Sequence, residues 1–257
     1  MKATLTVLGS GTSMGVPTIG CDCAVCHSSD PRDRRTRPSV LIEYAGRSVI
    51  IDTTPDFREQ AIRENIRRLD AVLYTHAHAD HILGIDDLRP LSFLHKPNRL
   101  PLYAHPVAAQ FIRKMFRYIF DADYKFGGLP QLEMRSLEGA VELFGASFEP
   151  IPLIHGDAEI YGFRFGCAAY LTDHNEIPQA SLARLAGLDV LFLDALRYRP
   201  HPTHSTVADS LRTVELLQPR RAFFTHICHD LPHEQTNASL PENVKLCYDS
   251  MRLEFEI

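Results

Sequence analysis

Three histidines and an aspartate fall within six residues, at His76-Ala77-His78-Ala79-Asp80-His81. Imidazole nitrogens and carboxylate oxygens together suit zinc, manganese or iron. Four such groups are more than one open catalytic metal takes from a single segment, so the spacing points to two metals sharing a loop. Burying the four without a metal would be costly. Local conformation decides whether they converge. A strand running through the segment would put His76, His78 and Asp80 on one side and His81 on the other. A turn after His78 would bring all four toward a common point.

Two metals need more ligands, and three candidates stand where apolar runs end: Leu153-Ile154-His155, Leu171-Thr172-Asp173 and Phe224-Thr225-His226. Any one of them alone reads as a structural or solvated residue. Their recurrence at strand ends, where loops carry chemistry, makes a pattern. His95, His105, His174, His201 and His233 lack that context and read as structural. A further histidine, His204 in Pro202-Thr203-His204-Ser205-Thr206, precedes a helical pattern. There it could protonate a leaving alkoxide, while the helix end favours an anion.

Three of the six cysteines cluster at Cys21-Asp22-Cys23-Ala24-Val25-Cys26. In a reducing compartment this crowding points to metal before disulfide. Three thiolates need a fourth ligand to close a tetrahedral zinc site. His27 is adjacent but constrained, and His229, three residues after His226, is the better candidate. Cys167, Cys228 and Cys247 read as buried thiols. The basic run Arg32, Arg34, Arg35 and Arg37 reads as a solvated surface, with an arginine clamp for a substrate's or a partner's phosphate as the sharper alternative. Gly11-Thr12-Ser13-Met14-Gly15 has the string of a serine nucleophile elbow. Pro17 and Gly20 follow where that motif needs a helix, so a tight turn is the better reading.

These residues need strands to carry them. Strands are expected at 4–8, 38–44, 48–52, 70–75, 148–154, 160–166, 167–172, 189–193 and 221–225, with 244–248 and 253–257 closing a sheet. Ala45-Gly46-Arg47 turns the first hairpin. Helices are expected at 56–69 with Asp56 as cap, at 106–120, at 179–186, and at 205–217 with Ser205 or Thr206 as cap. Residues 121–147 read as an insertion or irregular connection with some strand character. Runs of strands at both ends, separated by helices, favour two mixed sheets with helices outside, in one domain spanning 1–257.

The ordered series His76-x-His78-x-Asp80-His81, then His155, Asp173 and His226, resembles the metallo-β-lactamase-fold hydrolases. That resemblance implies an α/β (α+β) fold, a four-layer αββα sandwich of two mixed β-sheets with metals at one edge. It also implies that His76, His78 and His155 hold one metal, that Asp80, His81 and His226 hold a second, and that Asp173 bridges them. True β-lactamases commonly carry Cys where this chain has Asp173, which argues against antibiotic hydrolysis. The cysteine cluster with His229 resembles the zinc knuckle of PhnP-type phosphodiesterases, here at about 21–37, which act on phosphoribosyl cyclic phosphate. The His-Ser-Thr loop is similar to that of phosphodiesterase relatives, RNase Z included, whose histidine is a general acid; this implies that role for His204.

The expectation is therefore a hydrolase with two catalytic divalent metals, Mn or Zn, and one structural Zn. A hydroxide held between the cations would attack phosphorus in line, oriented by Asp80, and His204 would protonate the departing oxygen. An RNase Z-like nuclease and a non-catalytic PqqB-like metal-binding protein are the alternatives. The chain has 257 residues and a formal charge of −5, which does not favour a polyanionic nucleic acid as partner. A small phosphorylated substrate fits better. Apolar runs are too short for a membrane span, and the start of the chain lacks a secretory pattern. A cytoplasmic protein is expected, with a homodimer as the commonest assembly.

Overall fold

The computed structural model describes residues 1–95, 98–121 and 127–257. Alternating apolar positions build two seven-stranded sheets among these residues. The strands are β1 (Lys2–Gly9), β2 (Ser39–Tyr44), β3 (Arg47–Ile51), β4 (Ala71–Leu73), β5 (Leu100–Ala104), β6 (Leu132–Ser136), β7 (Val141–Leu143), β8 (Ala146–His155), β9 (Ala158–Phe165), β10 (Ala168–Leu171), β11 (Val190–Asp194), β12 (Arg221–Thr225), β13 (Val244–Leu246) and β14 (Arg252–Glu256). One sheet has the order β14-β1-β2-β3-β4-β5-β6 and the other β13-β12-β11-β10-β9-β8-β7. Each is mixed. Pairing is antiparallel from β14 to β3 and parallel from β3 to β6. It is antiparallel from β7 to β10 and parallel from β10 to β13.

Three apolar layers follow from the period-two alternation. Val40, Ile42, Val49 and Ile51 of the first sheet meet Phe148, Phe163, Phe165 and Phe192 of the second. The opposite face of the first sheet, with Leu41, Ile50, Val72 and Leu102, packs on Phe57, Ala109 and Ile112 of its covering helices. The opposite face of the second, with Leu191, Leu193 and Phe224, packs on Val207 and Val214. The result is the expected αββα sandwich. Among the described residues no helix is long and apolar enough to cross a membrane.

Several boundaries differ from the sequence reading. The helix expected at 56–69 is Phe57–Arg63, ended by Asn65 in the left-handed region at φ 53°. Asp56 makes no side-chain cap; its carboxylate accepts from the backbone and guanidinium of Arg37. The helix expected at 106–120 breaks at Phe116 into Pro106–Met115 and Arg117–Phe120. The segment 121–147 supplies β6, β7 and the start of β8, with 122–126 outside the described residues. The strand β5 and the helix His233–Ser239 carry too little periodicity to be read in advance. The strand expected at 70–75 is only Ala71–Leu73, because the chain turns toward the site immediately afterwards. Helix Val207–Leu217 takes Thr206 as cap, with Asp209 closing a reciprocal capping box. The glycine loop after β1 is a turn closed by Gly15 N donating to the Thr12 carbonyl at 2.8 Å; at the end of β1, a Cβ on Gly9 would sit 1.9 Å from the Arg37 carbonyl oxygen, so only glycine permits this approach of two backbones.

Candidate metal centre and active site

The parallel strands of both sheets end at a common edge, where open α/β sheets place their ligand sites. From β4 the chain passes through Tyr74 and Thr75 to His76, then caps a short helix, Ala79–Ile82, with His78. The turn thus wins over the extended strand, and Asp80 and His81 swing round to one centre. His155 is the last residue of β8. Asp173 and His226 follow β10 and β12 in the left-handed region, both at φ 58°. Non-glycine residues accept this conformation rarely, Asp and His more readily than most. Here it turns two functional side chains off the strand line into the site.

Two ligand sets result. His76, His78 and His155 offer ring nitrogens within 4.8 Å of one another, and so do the donor atoms of Asp80, His81, Asp173 and His226. Asp173 Oδ2 lies 3.2 Å from His81 Nε2 and 3.1 Å from His226 Nε2. A separate grouping joins Asp173 to His155 and His204, so this carboxylate stands between the sets. The seven residues expected from the sequence are all brought together.

The donor chemistry fits divalent cations. His76 Nδ1 lies 3.0 Å from Thr75 Oγ1, while its Nε2 is buried with no hydrogen-bond partner. His155 Nδ1 donates to the Thr203 carbonyl at 2.8 Å, which leaves Nε2 for the site. A ring pinned through one nitrogen and presenting the other is how metal-ligating histidines are held. Burial, reinforced by His81, pushes His76 well below the usual imidazole range, so the ring is neutral, the form that ligates. Burial alone would raise Asp173, but His226 and His81 hold it well below the carboxylate range.

Two supporting carboxylates were not singled out in the sequence. Asp52, just after β3, lies 2.7 Å from His81 Nδ1 and accepts from Thr75 N and Oγ1 at 2.9 and 2.8 Å. Asp194, ending β11, lies 2.7 Å from His204 Nδ1 and accepts from His174 N at 3.0 Å. Both obey the pattern of a strand ending in an acidic residue, Ile51-Asp52 and Leu193-Asp194, which was the available signal.

His204 is placed beside the ligands. Its ring stacks on His226 with centroids 4.5 Å apart and meets His155 edge-on at 4.8 Å. With Nδ1 bound to Asp194, its Nε2 is left to the site. His201, half-buried, flanks it at 5.0 Å. His105 accepts from Val107 N as a helix cap, and His233 accepts from Asn237, in keeping with structural readings. Replacing Asp194 by asparagine is expected to lower kcat by about 10²-fold, since an amide can stabilise the wrong imidazole tautomer. Metal content should stay unchanged; elemental analysis showing metal loss would instead make Asp194 a ligand.

The cysteine cluster closes on His229. Its Nδ1 lies 3.2, 3.5 and 3.4 Å from the sulfurs of Cys21, Cys23 and Cys26. Backbone N–H groups of Cys26 and Thr18 point at the Cys23 and Cys26 sulfurs at 3.4 and 3.3 Å. The first of these lowers the Cys23 thiol, while burial pushes Cys26 up to about 11. The donor set suits a tetrahedral zinc. Cys228 and Cys247 are buried as expected, but Cys167 is half-exposed.

Most of the arginine run is paired with acids. Arg35 is wholly buried against Asp33, Arg37 pairs with Asp56, and Arg32 with Asp30 and Glu234. Arg34 is exposed, and Arg32 and Arg37 are partly so. Asp30 and Asp33 stand within the run's own segment, whereas Asp56 and Glu234 are brought to it by the fold.

A model of the β-lactamase superfamily domain matches residues 47–227. The chain belongs to this superfamily. A crystal structure of a diphosphatase from the PhnP family is 59% identical, covers 99% of this chain and 98% of that one, and has a TM-score of 0.94. The protein thus has the metallo-β-lactamase fold and is of the PhnP type. An octanoyltransferase of Porphyromonas gingivalis (strain ATCC BAA-308 / W83) is 37% identical over 95% of this chain, but the chain spans only 50% of its length. A ribonuclease Z of Bradyrhizobium diazoefficiens is 31% identical over 54% of this chain and 46% of its own. The zinc-bound PqqB of Methylobacterium extorquens shares the fold, with a TM-score of 0.81 at 20% identity, over 97% of this chain and 99% of that one. In this β-lactamase-superfamily protein, the His/Asp and Cys/His clusters are suited to divalent metals such as zinc.

Proposed function

We propose that the protein hydrolyses a phosphodiester in a small phosphorylated compound, a cyclic phosphate of the phosphoribosyl type being the favoured class. The placement of His204 carries this reading: a histidine oriented by a buried carboxylate, stacked against one ligand set and edge-on to the other. Two catalytic divalent cations, Mn or Zn, held by His76, His78, Asp80, His81, His155, Asp173 and His226, would supply Lewis acidity to the phosphoryl group and a nucleophile at neutral pH. Cys21, Cys23, Cys26 and His229 would hold a structural zinc. His204 then gives its Nε2 proton to the departing sugar oxygen, with Asp194 keeping the ring in place. Asp80, whose Oδ2 lies 3.3 Å from His81 Nε2 and 3.7 Å from His226 Nε2, orients the nucleophile.

A diphosphate linkage is the second reading, favoured by the diphosphatase at 59% identity. The readings differ in leaving group, an alkoxide in one and a phosphate in the other. Turnover of bis-p-nitrophenyl phosphate by the metal-loaded protein, lost on chelation and restored by Mn or Zn, is the expected result. Relative kcat/KM on a ribose cyclic phosphate and a sugar-linked diphosphate then separates the readings. No turnover of any of these at full metal occupancy would overturn hydrolysis and leave a metal-binding protein.

A further inference from the structure

The cysteine cluster and the catalytic edge share one short loop. His226 belongs to the catalytic ligand set and His229, three residues on, to the cysteine set. Between them lie Ile227 and Cys228, held from several sides. Ile227 N donates to the Ser10 carbonyl at 3.0 Å, Thr12 N donates to the Ile227 carbonyl at 3.2 Å, and Cys228 N donates to the Leu196 carbonyl at 3.1 Å. His226 is in the left-handed region at φ 58°. A β-carbon residue stays there only where its surroundings over-determine it.

Arg35 is among those surroundings. Its side chain is fully shielded from solvent. Nη1 donates to the Cys228 carbonyl at 2.9 Å, and Nη2 to the Leu231 carbonyl at 2.6 Å and to Asp33 Oδ1 at 2.9 Å. Nε donates to the Arg32 carbonyl at 3.3 Å. The two distant carbonyls lie on either side of His229. Asp33 Oδ1 also accepts from His233 N at 2.8 Å, which ties the same pair to the chain just beyond. Arg35 backbone N and O bond Val16, in the arm that leads to Cys21. A planar guanidinium with fixed donors suits this geometry, and an ammonium does not reproduce it.

We infer that Arg35 is a positioning residue that couples the cysteine-bound zinc site to the catalytic metal site, by clamping the loop that carries His226 and His229. This rests on the metal assignment of the proposed function, but not on the substrate. Occupation of the cysteine set fixes His229, the clamp carries that constraint across Cys228, and His226 is thereby presented to the second catalytic cation. The cation held by His76, His78 and His155 has no ligand on this loop and should be indifferent to it.

The test is metal binding by the full-length protein, titrated with Mn or Zn against a competing chelator. The wild type should take up two chelatable metals above a retained zinc. In Arg35→Met one of the two should bind at least tenfold more weakly, while the other keeps its wild-type affinity. Arg35→Lys, which keeps the charge but loses the fork, should fall between. If Arg35→Met does not fold, Arg35→Lys carries the test alone, with selective weakening of one metal as the supporting result. A folded Arg35 variant that binds both catalytic metals as the wild type does, or loses both equally, would overturn the coupling. A wild type with fewer than two chelatable metals would instead sink the dimetal reading, so the two failures are distinguishable.

Discussion

Asp173→Ala is expected to abolish turnover and to strip metal from both catalytic ligand sets. The carboxylate is almost wholly buried at the exit of β10. One of its oxygens is within 3.2 Å of His81 Nε2 and 3.1 Å of His226 Nε2, and it also groups with His155 and His204. Asp80 shares His81 and His226 as neighbours, at 3.3 and 3.7 Å, but among the described residues it does not join the grouping with His155 and His204. Under the proposed two-metal site, removal of Asp173 would take away the charge placed between the ligand sets and leave Asp80 as the carboxylate beside His81 and His226. A fall in kcat/KM of about 10⁴-fold or more, some 5 kcal/mol of transition-state stabilisation, is the scale for a shared ligand in metal-assisted hydrolysis. Asp173→Asn keeps the shape and loses the charge, so it should be nearly as inactive. Elemental analysis should show the cysteine-bound zinc retained and fewer than two further metals. Full retention of two chelatable metals in a folded Asp173→Ala protein would show that the carboxylate does not bridge.

His204→Ala should cost about 10³-fold in kcat with an alkoxide leaving group, within the range of general acid catalysis. Metal content should not change, because the ligand sets remain complete without it. The diagnostic is the leaving group. A nitrophenolate is a stable anion at neutral pH and gains little from protonation, so bis-p-nitrophenyl phosphate should lose less than about tenfold. An alkyl ester with the same phosphoryl end should carry the full loss. The contrast follows from the geometry: Asp194 holds His204 Nδ1 at 2.7 Å, and the ring stacks 4.5 Å from that of His226. Equal losses on both substrates would remove the proton-donor role and make His204 a residue that positions substrate or metal. A small loss on the natural substrate would favour the diphosphate reading, whose phosphate leaving group needs little help.

Much of this site is legible without a structure, for a local reason. His76, His78, Asp80 and His81 belong to one segment, and their residue types and spacing already limit the chemistry. The same holds for Cys21, Cys23 and Cys26. His155, Asp173 and His226 are legible because each ends an apolar run, which marks the edge of a sheet. The supporting residues were not legible by that route. Asp52 is a partner of Thr75 and His81 only because β3 pairs with β4 in the register Ile51 to Leu73. Asp194 stands beside the His226 strand because β11 pairs with β12 in the register Asp194 to Thr225. Strand order and register are long-range properties, and nothing within either segment states them.

Arg35 shows the limit most clearly. In a run of arginines its charge argues for solvent, yet it is buried, because its acceptors include the Cys228 and Leu231 carbonyls, 193 and 196 residues away. By itself the sequence determined the ligand types, their clustering and the alternation that makes two sheets. The tertiary structure alone decided which carboxylate holds which histidine, and which cation is interred to hold a loop. Ligand spacing is a property of a few consecutive residues, whereas burial and pairing depend on what folding brings alongside them.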